Sequence, residues 1–364
     1  METILLTGAP GFIGTFMGAS FLSGGDRVIF LARPGNGETA FRRVEKSLTL
    51  VDASVLTKEF QVLDGDVTLE DCGIPIEALS GVTTIFHAAG KLDYSWAKRD
   101  ETAKVNVGGT KNILKLARYM PALKRVVFIS TAYVCGSRQG EFREDHKFCE
   151  KPIFDNAYEL TKLKGENYVR AWSRKSKIDT FILRPSIVVG RSSDGAVIGC
   201  TGFYSFMKVI NAIVDSQRIV CDHLNGENFI LNVPGDEKAP LNITPVDWLV
   251  DMTNKILDRN VPGIYHVVAE RPETYGFWLD VGSKYLGLPG VCVSNRQSSE
   301  RSIAILERMV KRGVSSYRCF IERHPIFDVS NLKRVLGDSY VPCHADEQLV
   351  HTILKYARER NFAI

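Results

Sequence analysis

Three glycines spaced three apart, placed where an apolar run ends, restrict this chain more than any other feature. The segment Leu6-Thr7-Gly8-Ala9-Pro10-Gly11-Phe12-Ile13-Gly14 follows the run Thr3–Thr7 and opens a helical pattern. Gly8 permits a tight turn, Gly11 lets the backbone approach a pyrophosphate, and Gly14 lets the helix pack closely on the strand. The free N–H groups at the helix start, around Phe12 and Ile13, then face the phosphates with the positive end of the helix dipole behind them. A glycine trio alone serves many purely structural turns. At the first strand-to-helix junction it points to dinucleotide binding in an α/β fold.

The rest of the first half agrees. Strands are expected at Thr3–Thr7, Arg27–Leu31, Phe60–Leu63, Thr83–His87, Arg125–Ile129 and Thr180–Leu183, with helices near Phe12–Leu22, Glu101–Tyr119 and Ala157–Lys175 between them. Alternation of this kind builds a parallel sheet covered on both faces. Val107, Ile113, Leu114 and Ala117 recur at helical spacing and would pack on that sheet. After Arg184-Pro185 the alternation breaks, and residues 190–240 show no sustained period. Gly263–Val268 reads as a late strand of the same sheet, followed by helices at Gly276–Leu286 and Ala345–Arg360 with a polar segment between. The expected fold is therefore α/β: a Rossmann-type doubly wound parallel sheet with a smaller C-terminal substrate-binding lobe. Residues 1–189 with about 241–269 would form the nucleotide-binding domain, and about 190–240 with 270–364 the lobe.

Composition narrows the function. A net charge of +4 over 364 residues supplies no concentrated basic stripe, which argues against nucleic acid as partner. Arg170 to Lys177 alternates with apolar residues and reads as a solvated helix face. No apolar run reaches membrane-spanning length, and the N-terminus lacks the basic start and cleavage site of a signal peptide. Eight cysteines (72, 135, 149, 200, 221, 292, 319 and 343) are scattered without zinc spacing, so no metal site is expected. Thiols used this way read as small buried apolar groups in a reducing, cytoplasmic compartment.

The type of dinucleotide is decided at the end of the second strand, where an acidic residue would take the ribose 2′-hydroxyl of NAD. This chain instead reads Phe30-Leu31-Ala32-Arg33-Pro34. Arg33 offers a planar cation to a 2′-phosphate, with Arg42 and Arg43 as reinforcement at the start of the next helix, so NADP(H) is expected. An ordinary surface arginine is the plainer alternative. Asp66, in Leu63-Asp64-Gly65-Asp66-Val67, ends the third strand where a carboxylate can accept from the adenine amino group, or simply form a turn.

Tyr158-Glu159-Leu160-Thr161-Lys162 places a phenol and an ammonium four apart, on one helix face. The pair follows Phe128-Ile129-Ser130-Thr131-Ala132-Tyr133-Val134, a strand end bearing hydroxyls. Hydride delivery to a carbonyl builds negative charge on oxygen, which a proton donor must meet. Tyr158 is that donor, its pKa lowered by Lys162 and an oxidised nicotinamide. Lys162 would also hydrogen-bond the nicotinamide ribose. Thr131 would orient the substrate oxygen, and Ser130, facing the other way if the strand continues, is the reserve.

With these residues in view, the chain resembles the extended (atypical) short-chain dehydrogenase/reductase superfamily over nearly its whole length. Besides the glycine bend and Tyr158 to Lys162, the matches are His87-Ala88-Ala89-Gly90, Asn106-Val107-Gly108-Gly109-Thr110, Ser130 to Val134 and Leu183-Arg184-Pro185-Ser186. The resemblance implies that Ala88, Ala89 and Gly90 line the cofactor together with Asp66 and Val67. It further implies that Asn106 belongs to the active-site framework and that Pro185, Ser186 and Ile187 flank the nicotinamide. Within the superfamily the chain is most similar to the thioester-reductase and fatty acyl-CoA reductase (male-sterility-type) branch, through Leu31 to Pro34, Gly65-Asp66-Val67 and Leu241 to Trp248. Lys91-Leu92-Asp93-Tyr94 matches that branch only loosely. The implied reaction is NADPH-dependent reduction of an acyl-CoA or carrier-bound acyl thioester to aldehyde or alcohol by a stand-alone monomer or homodimer. Lys208 and Arg218 read first as solvated surface residues, with a hold on a CoA or phosphopantetheine phosphate as the second reading. The alternatives are a ketone or alcohol dehydrogenase of the hydroxysteroid or flavanone type, a nucleotide-sugar epimerase or reductase, and a non-catalytic NADP(H)-sensing scaffold.

Overall fold

The computed structural model describes residues 1–145, 153–220, 230–296, 298–299 and 301–363. Cys149, Cys221 and the side chain of Arg218 lie outside the described part. Seven strands form one parallel sheet: Thr3–Thr7 (β1), Arg27–Ala32 (β2), Phe60–Asp64 (β3), Thr84–His87 (β4), Arg125–Ile129 (β5), Asp179–Pro185 (β6) and Gly263–Val267 (β7). Their order is β7-β6-β5-β4-β1-β2-β3, so the winding reverses between β1 and β4. In doubly wound sheets that reversal opens a crevice at the carboxyl ends of the strands, where ligands bind. The late strand stands where the sequence suggested, at the edge beside β6, with Val267 opposite Pro185.

The strands are apolar on both sides because both faces are covered. Ile4, Leu6, Val28, Phe30, Val127, Ile129, Phe181 and Leu183 face one core. Leu5, Ile29, Leu31, Val126, Phe128 and Ile182, alternating with them, face the other. The first core continues without a break into the segments after β6, taking in Met207, Trp278, Val310 and Leu354.

Helices Phe12–Ser23 (α1), Ala40–Asp52 (α2), Thr110–Leu116 (α3), Ala157–Ser173 (α4), Phe203–Val220 (α5), Val246–Arg259 (α6), Tyr275–Leu286 (α7), Arg301–Val314 (α8) and Glu347–Glu359 (α9) complete the main framework. Two of them correct the sequence reading. α5 lies in the stretch read as aperiodic, yet Phe203, Met207, Ile210 and Val214 are buried at helical spacing. α8 lies in the stretch read as polar, with Ile303, Val310 and Val314 buried beneath its exposed cations.

The continuous helix expected over Glu101–Tyr119 is instead broken by a π-helical turn at Lys104–Gly109. Close packing accompanies the break. A Cβ on Gly109 would come within 2.8 Å of Val67, and one on Gly165 within 2.7 Å of the Asn106 carbonyl oxygen. No described helix is long and apolar enough to cross a membrane.

Candidate active site

The site assembles from strand ends. Gly8, just past β1, has φ +93°, and a Cβ there would lie 2.5 Å from the backbone of Ala88, just past β4. Cβ atoms on Gly11 or Gly14 would each meet the Gly8 carbonyl oxygen at 2.6 Å. All three positions therefore have to be bare backbone. Gly11 caps α1 without any side-chain bond, and no acidic residue occupies the helix's first turn. Its leading N–H groups are thus free for an anion. Helix-on-sheet contact is made a turn later by Gly18, whose Cβ would come within 2.6 Å of the Phe30 ring.

At the end of β2, Arg33 is 67% exposed and pairs with Asp66 at 3.5 Å. Arg43 donates to the Arg33 carbonyl oxygen at 2.5 Å, which places its guanidinium against the backbone at the end of β2. Arg42 turns instead onto Glu45 of its own helix at 2.6 Å. Asp66 also accepts from the Thr68 N–H at 2.8 Å, so its carboxylate is both turn-forming and paired with a cation. Partial burial works against ionisation of Asp66, but the Thr68 bonds and Arg33 prevail and hold its pKa below the ordinary value. Val67 is buried, with its carbonyl bound by Asn112 at 2.9 Å.

After β4, Ala88 and Gly90 border the cleft. Ala89, one residue between them, packs toward the opposite core, and its N–H is held by Thr7 Oγ1 at 3.2 Å. That is the alternation an extended chain imposes, and it takes the Ala89 side chain out of the lining. His87 is fully buried between Thr7 (2.7 Å) and Thr110 (3.2 Å). Burial, helped by the charge of Lys162, drives its pKa down to about 3, so the ring is neutral. Asn106 stands behind the cleft: its amide oxygen accepts from Lys91 N–H at 2.7 Å, and its amide nitrogen donates to the Lys91 carbonyl at 3.1 Å and to Thr161 at 3.0 Å.

Thr131, Tyr158 and Lys162 meet on one wall of this cleft, with Pro185, Ser186 and Ile187 beside them. Asn156 caps α4 by accepting from Glu159 N–H at 2.9 Å, which fixes where the helix starts and so where Tyr158 sits. Lys162 Nζ donates to the Ile129 carbonyl at 2.5 Å and lies 4.5 Å above the Phe128 ring. Burial lowers its pKa to about 8. Tyr158 differs from the expectation. Burial pushes its phenol up to about 12; the Thr131 hydroxyl, within bonding reach, lowers it, and Lys162 is not among the influences. The amine is committed to a backbone carbonyl, while the phenol sits half-buried at the edge of the cleft. Tyr158 is therefore firmly protonated in the protein alone.

The two candidate hydroxyls are separated cleanly. Ser130 donates to Glu166 at 2.7 Å, where Glu166 also binds Arg184 (2.7 Å) and Arg170 (2.6 Å). Burial opposes ionisation of Glu166, but the arginines win and hold its pKa at about 2. Ser130 is thus bound into a charged network, whereas Thr131 faces the phenol.

Beyond the hydroxyls the cleft becomes an apolar pocket that sequence reasoning largely missed. Tyr94, Phe203, Phe206, Tyr275, Tyr317 and Phe320 line it, together with Leu92, Val314 and Ile321. Tyr94 packs edge-on against Tyr158, Tyr317 and Phe320 at centroid distances of 6.1, 5.4 and 5.7 Å. Leu92 and Tyr94 lie in the loosely matching segment, and the hydrophobic spacing of α5 was the readable signal for Phe203 and Phe206. Lys162 is the one charged side chain in the lining among the described residues. Lys208 lies outside it, donating to the Phe362 carbonyl at 3.4 Å. Of the described cysteines, Cys72, Cys135, Cys319 and Cys343 are buried, but Cys200 is only half-buried and Cys292 is exposed.

Comparison with known proteins fits this geometry. Human fatty acyl-CoA reductase 2 is 26% identical over 292 residues, which cover 69% of this chain and 53% of that protein. The chain thus spans about half the length of this relative. Among solved structures, the terminal R domain of the myxalamid PKS-NRPS pathway superposes with a TM-score of 0.79 at 22% identity, covering 100% of this chain and 92% of that one. UDP-glucuronic acid 4-epimerase from Bacillus cereus, solved in complex with NAD, gives 0.69 at 18%, covering 98% and 97%. Likeness at these identities speaks for the fold. The family model described as "Male sterility protein" matches residues 6–253, from the glycine bend through α4 and β6 into α6. The chain therefore belongs to the male sterility protein family, a nicotinamide-dinucleotide-binding branch of the extended short-chain dehydrogenase/reductase superfamily.

Proposed function

We propose that this chain is an NADPH-dependent reductase of an acyl thioester, acyl-CoA or carrier-bound, yielding an aldehyde or alcohol. The carrying observation is that Thr131, Tyr158 and Lys162 stand where the cleft from the glycine bend opens into an apolar, aromatic pocket whose described lining has no other charged residue. Such a pocket suits an acyl chain. Among the described residues it offers no cation besides Lys162 for the diphosphate of a nucleotide sugar.

The residues around the bend fit a dinucleotide: a cradle that any Cβ would fill, uncapped helix N–H groups, and the Arg33/Arg43 pair for a 2′-phosphate. When bound, the reduced nicotinamide supplies hydride to the thioester carbonyl carbon. This chain's own side chains do the rest. The Tyr158 phenol, whose raised pKa keeps it protonated at neutral pH, gives its proton to the carbonyl oxygen, and Thr131 donates a hydrogen bond to the same oxygen. Lys162 holds positive charge near the phenolate left behind. The resulting hemithioacetal collapses: its C–S bond breaks, its hydroxyl proton returns to Tyr158, and the sulfur leaves as a thiolate that takes a proton from solvent to become the thiol. The segments 190–240 and 270–364 act as the lobe that covers the acyl chain and excludes water. The reading places the enzyme in the cytoplasm as a monomer or homodimer.

The test is NADPH oxidation with a panel of fatty acyl-CoAs beside a ketone panel and a no-substrate control, with aldehyde or alcohol identified by mass spectrometry. Turnover of ketones alone, or oxidation of NADH in preference to NADPH, would overturn the corresponding half of the reading.

A further inference from the structure

We propose that Arg323 is a positioning residue for both hydroxyls, one guanidinium holding the Thr131 turn and the start of the Tyr158 helix against the pocket wall. The inference rests on the role proposed for Tyr158 and Thr131.

Arg323 is only 5% exposed. Its Nη1 donates to the Gly136 carbonyl at 2.7 Å and to Glu159 Oε2 at 3.3 Å, while Nη2 binds the Asp155 carboxylate. Gly136 closes the turn Ala132–Cys135 that directly follows Thr131. Asp155 and Glu159 bracket Asn156, the cap of α4, and Tyr158 itself. A single planar group therefore fixes the spacing between the two elements that carry the hydroxyls.

The third partner is the wall. Phe320 and Ile321 line the pocket three and two residues before Arg323. Immediately after it, Pro325–Phe327 pairs in parallel with Gly140–Phe142, and Gly140 N–H bonds the His324 carbonyl at 3.1 Å. The arginine is thus held from both sides in sequence, and a shift of the wall moves it.

Stability alone does not account for the arrangement. Glu159 is fully buried, meets Arg323 through one oxygen, and leaves Oε1 without a partner of hydrogen-bonding geometry. A buried pair so incompletely bonded contributes little net stability, because desolvation offsets its attraction. What it supplies is placement.

The test uses the full chain and the substrate that the wild type turns over fastest in the acyl-CoA and ketone panels. Arg323→Met combined with Glu159→Gln removes the pair without orphaning a buried charge. Expected are a kcat lower by about 100-fold, a thermal midpoint near wild type, an unchanged NADPH Kd, and KM within a few-fold. A wild-type kcat in this double variant overturns the proposal. Should it fail to fold, Arg323→Lys serves instead, since an ammonium lacks the planar fork; kcat about tenfold down is expected, and an undiminished kcat again overturns it. Tyr158→Phe is run alongside. If it keeps its turnover, the phenol reading fails and this inference with it. If it is dead while the Arg323 variants are unimpaired, only the inference falls.

Discussion

The glycine bend and the aromatic wall enclose the same cleft by opposite means. The bend recognises with backbone. Its three glycines fall within seven consecutive residues, any side chain on them would collide with the bend itself or with Ala88, and its donors are N–H groups at a helix start. The wall recognises with side chains. Leu92 and Tyr94 come from the chain after β4, Phe203 and Phe206 from α5, Tyr275 from α7, and Val314 to Ile321 from the end of α8 and the turns after it. A backbone site of this kind tolerates almost no substitution and fits one class of ligand. A wall built from separate segments can be retuned one ring at a time, so the cofactor half should be rigid in evolution and the substrate half adjustable.

The largest effect expected at the junction between the two halves is that of Tyr158→Phe. Turnover should fall by about 1,000-fold while NADPH still binds, as read by rapid-mixing kinetics and fluorescence titration; equal losses of both would show that the phenol belongs to the binding half. Next comes Gly8→Ala, which forces a Cβ to 2.5 Å from backbone at a φ of +93°. It should lower stability by about 2 kcal/mol or more and abolish NADPH binding, measured by thermal melts and calorimetry. Tyr317→Ala works in the other half: KM for the acyl substrate should rise about tenfold with the NADPH Kd unchanged, and a change in Kd would mean the two halves are not separable. Arg33→Ala should weaken NADPH about tenfold and leave NADH nearly untouched. The smallest effect is on pH. Lys162 titrates at about 8, its pKa lowered by burial, whereas Tyr158 stays protonated to about 12. Reduction should therefore decline as pH rises through about 8, when the ammonium loses its proton, and Lys162→Arg should move that limb upward. Folding carries the opposite sign. The unfolded chain binds more protons at this lysine between its lowered and ordinary pKa values, so the Lys162 contribution favours the folded state increasingly as pH rises across that window.

Much of this was legible before any coordinates, and the reason is range. A strand that ends in Gly8, Gly11 and Gly14 imposes its turn within nine residues. A tyrosine and a lysine four apart share a helix face whatever surrounds them. The parallel sheet followed from runs apolar on both sides, down to the late strand beside β6. The expected helix over Glu101–Tyr119 is interrupted at its centre where Gly109 meets Val67 and Gly165 meets the Asn106 backbone, close approaches by neighbours far off in sequence. The same holds for Ser130. Strand alternation suggested that it would face away from Thr131, but nothing in the sequence revealed Glu166 and two arginines waiting for it.

By itself, then, the order of residues determined the sheet, the bend, the Tyr-Lys face and the cation after β2, since each depends on dihedral preference and spacing along one short segment. Tertiary structure alone decided the aromatic pocket, the neutral His87, the protonated phenol and the grip of Arg323 on two distant turns. Those properties arise from burial and from contacts between segments tens to hundreds of residues apart, and loss of water changes a side chain's chemistry in a way that its neighbours in sequence do not record.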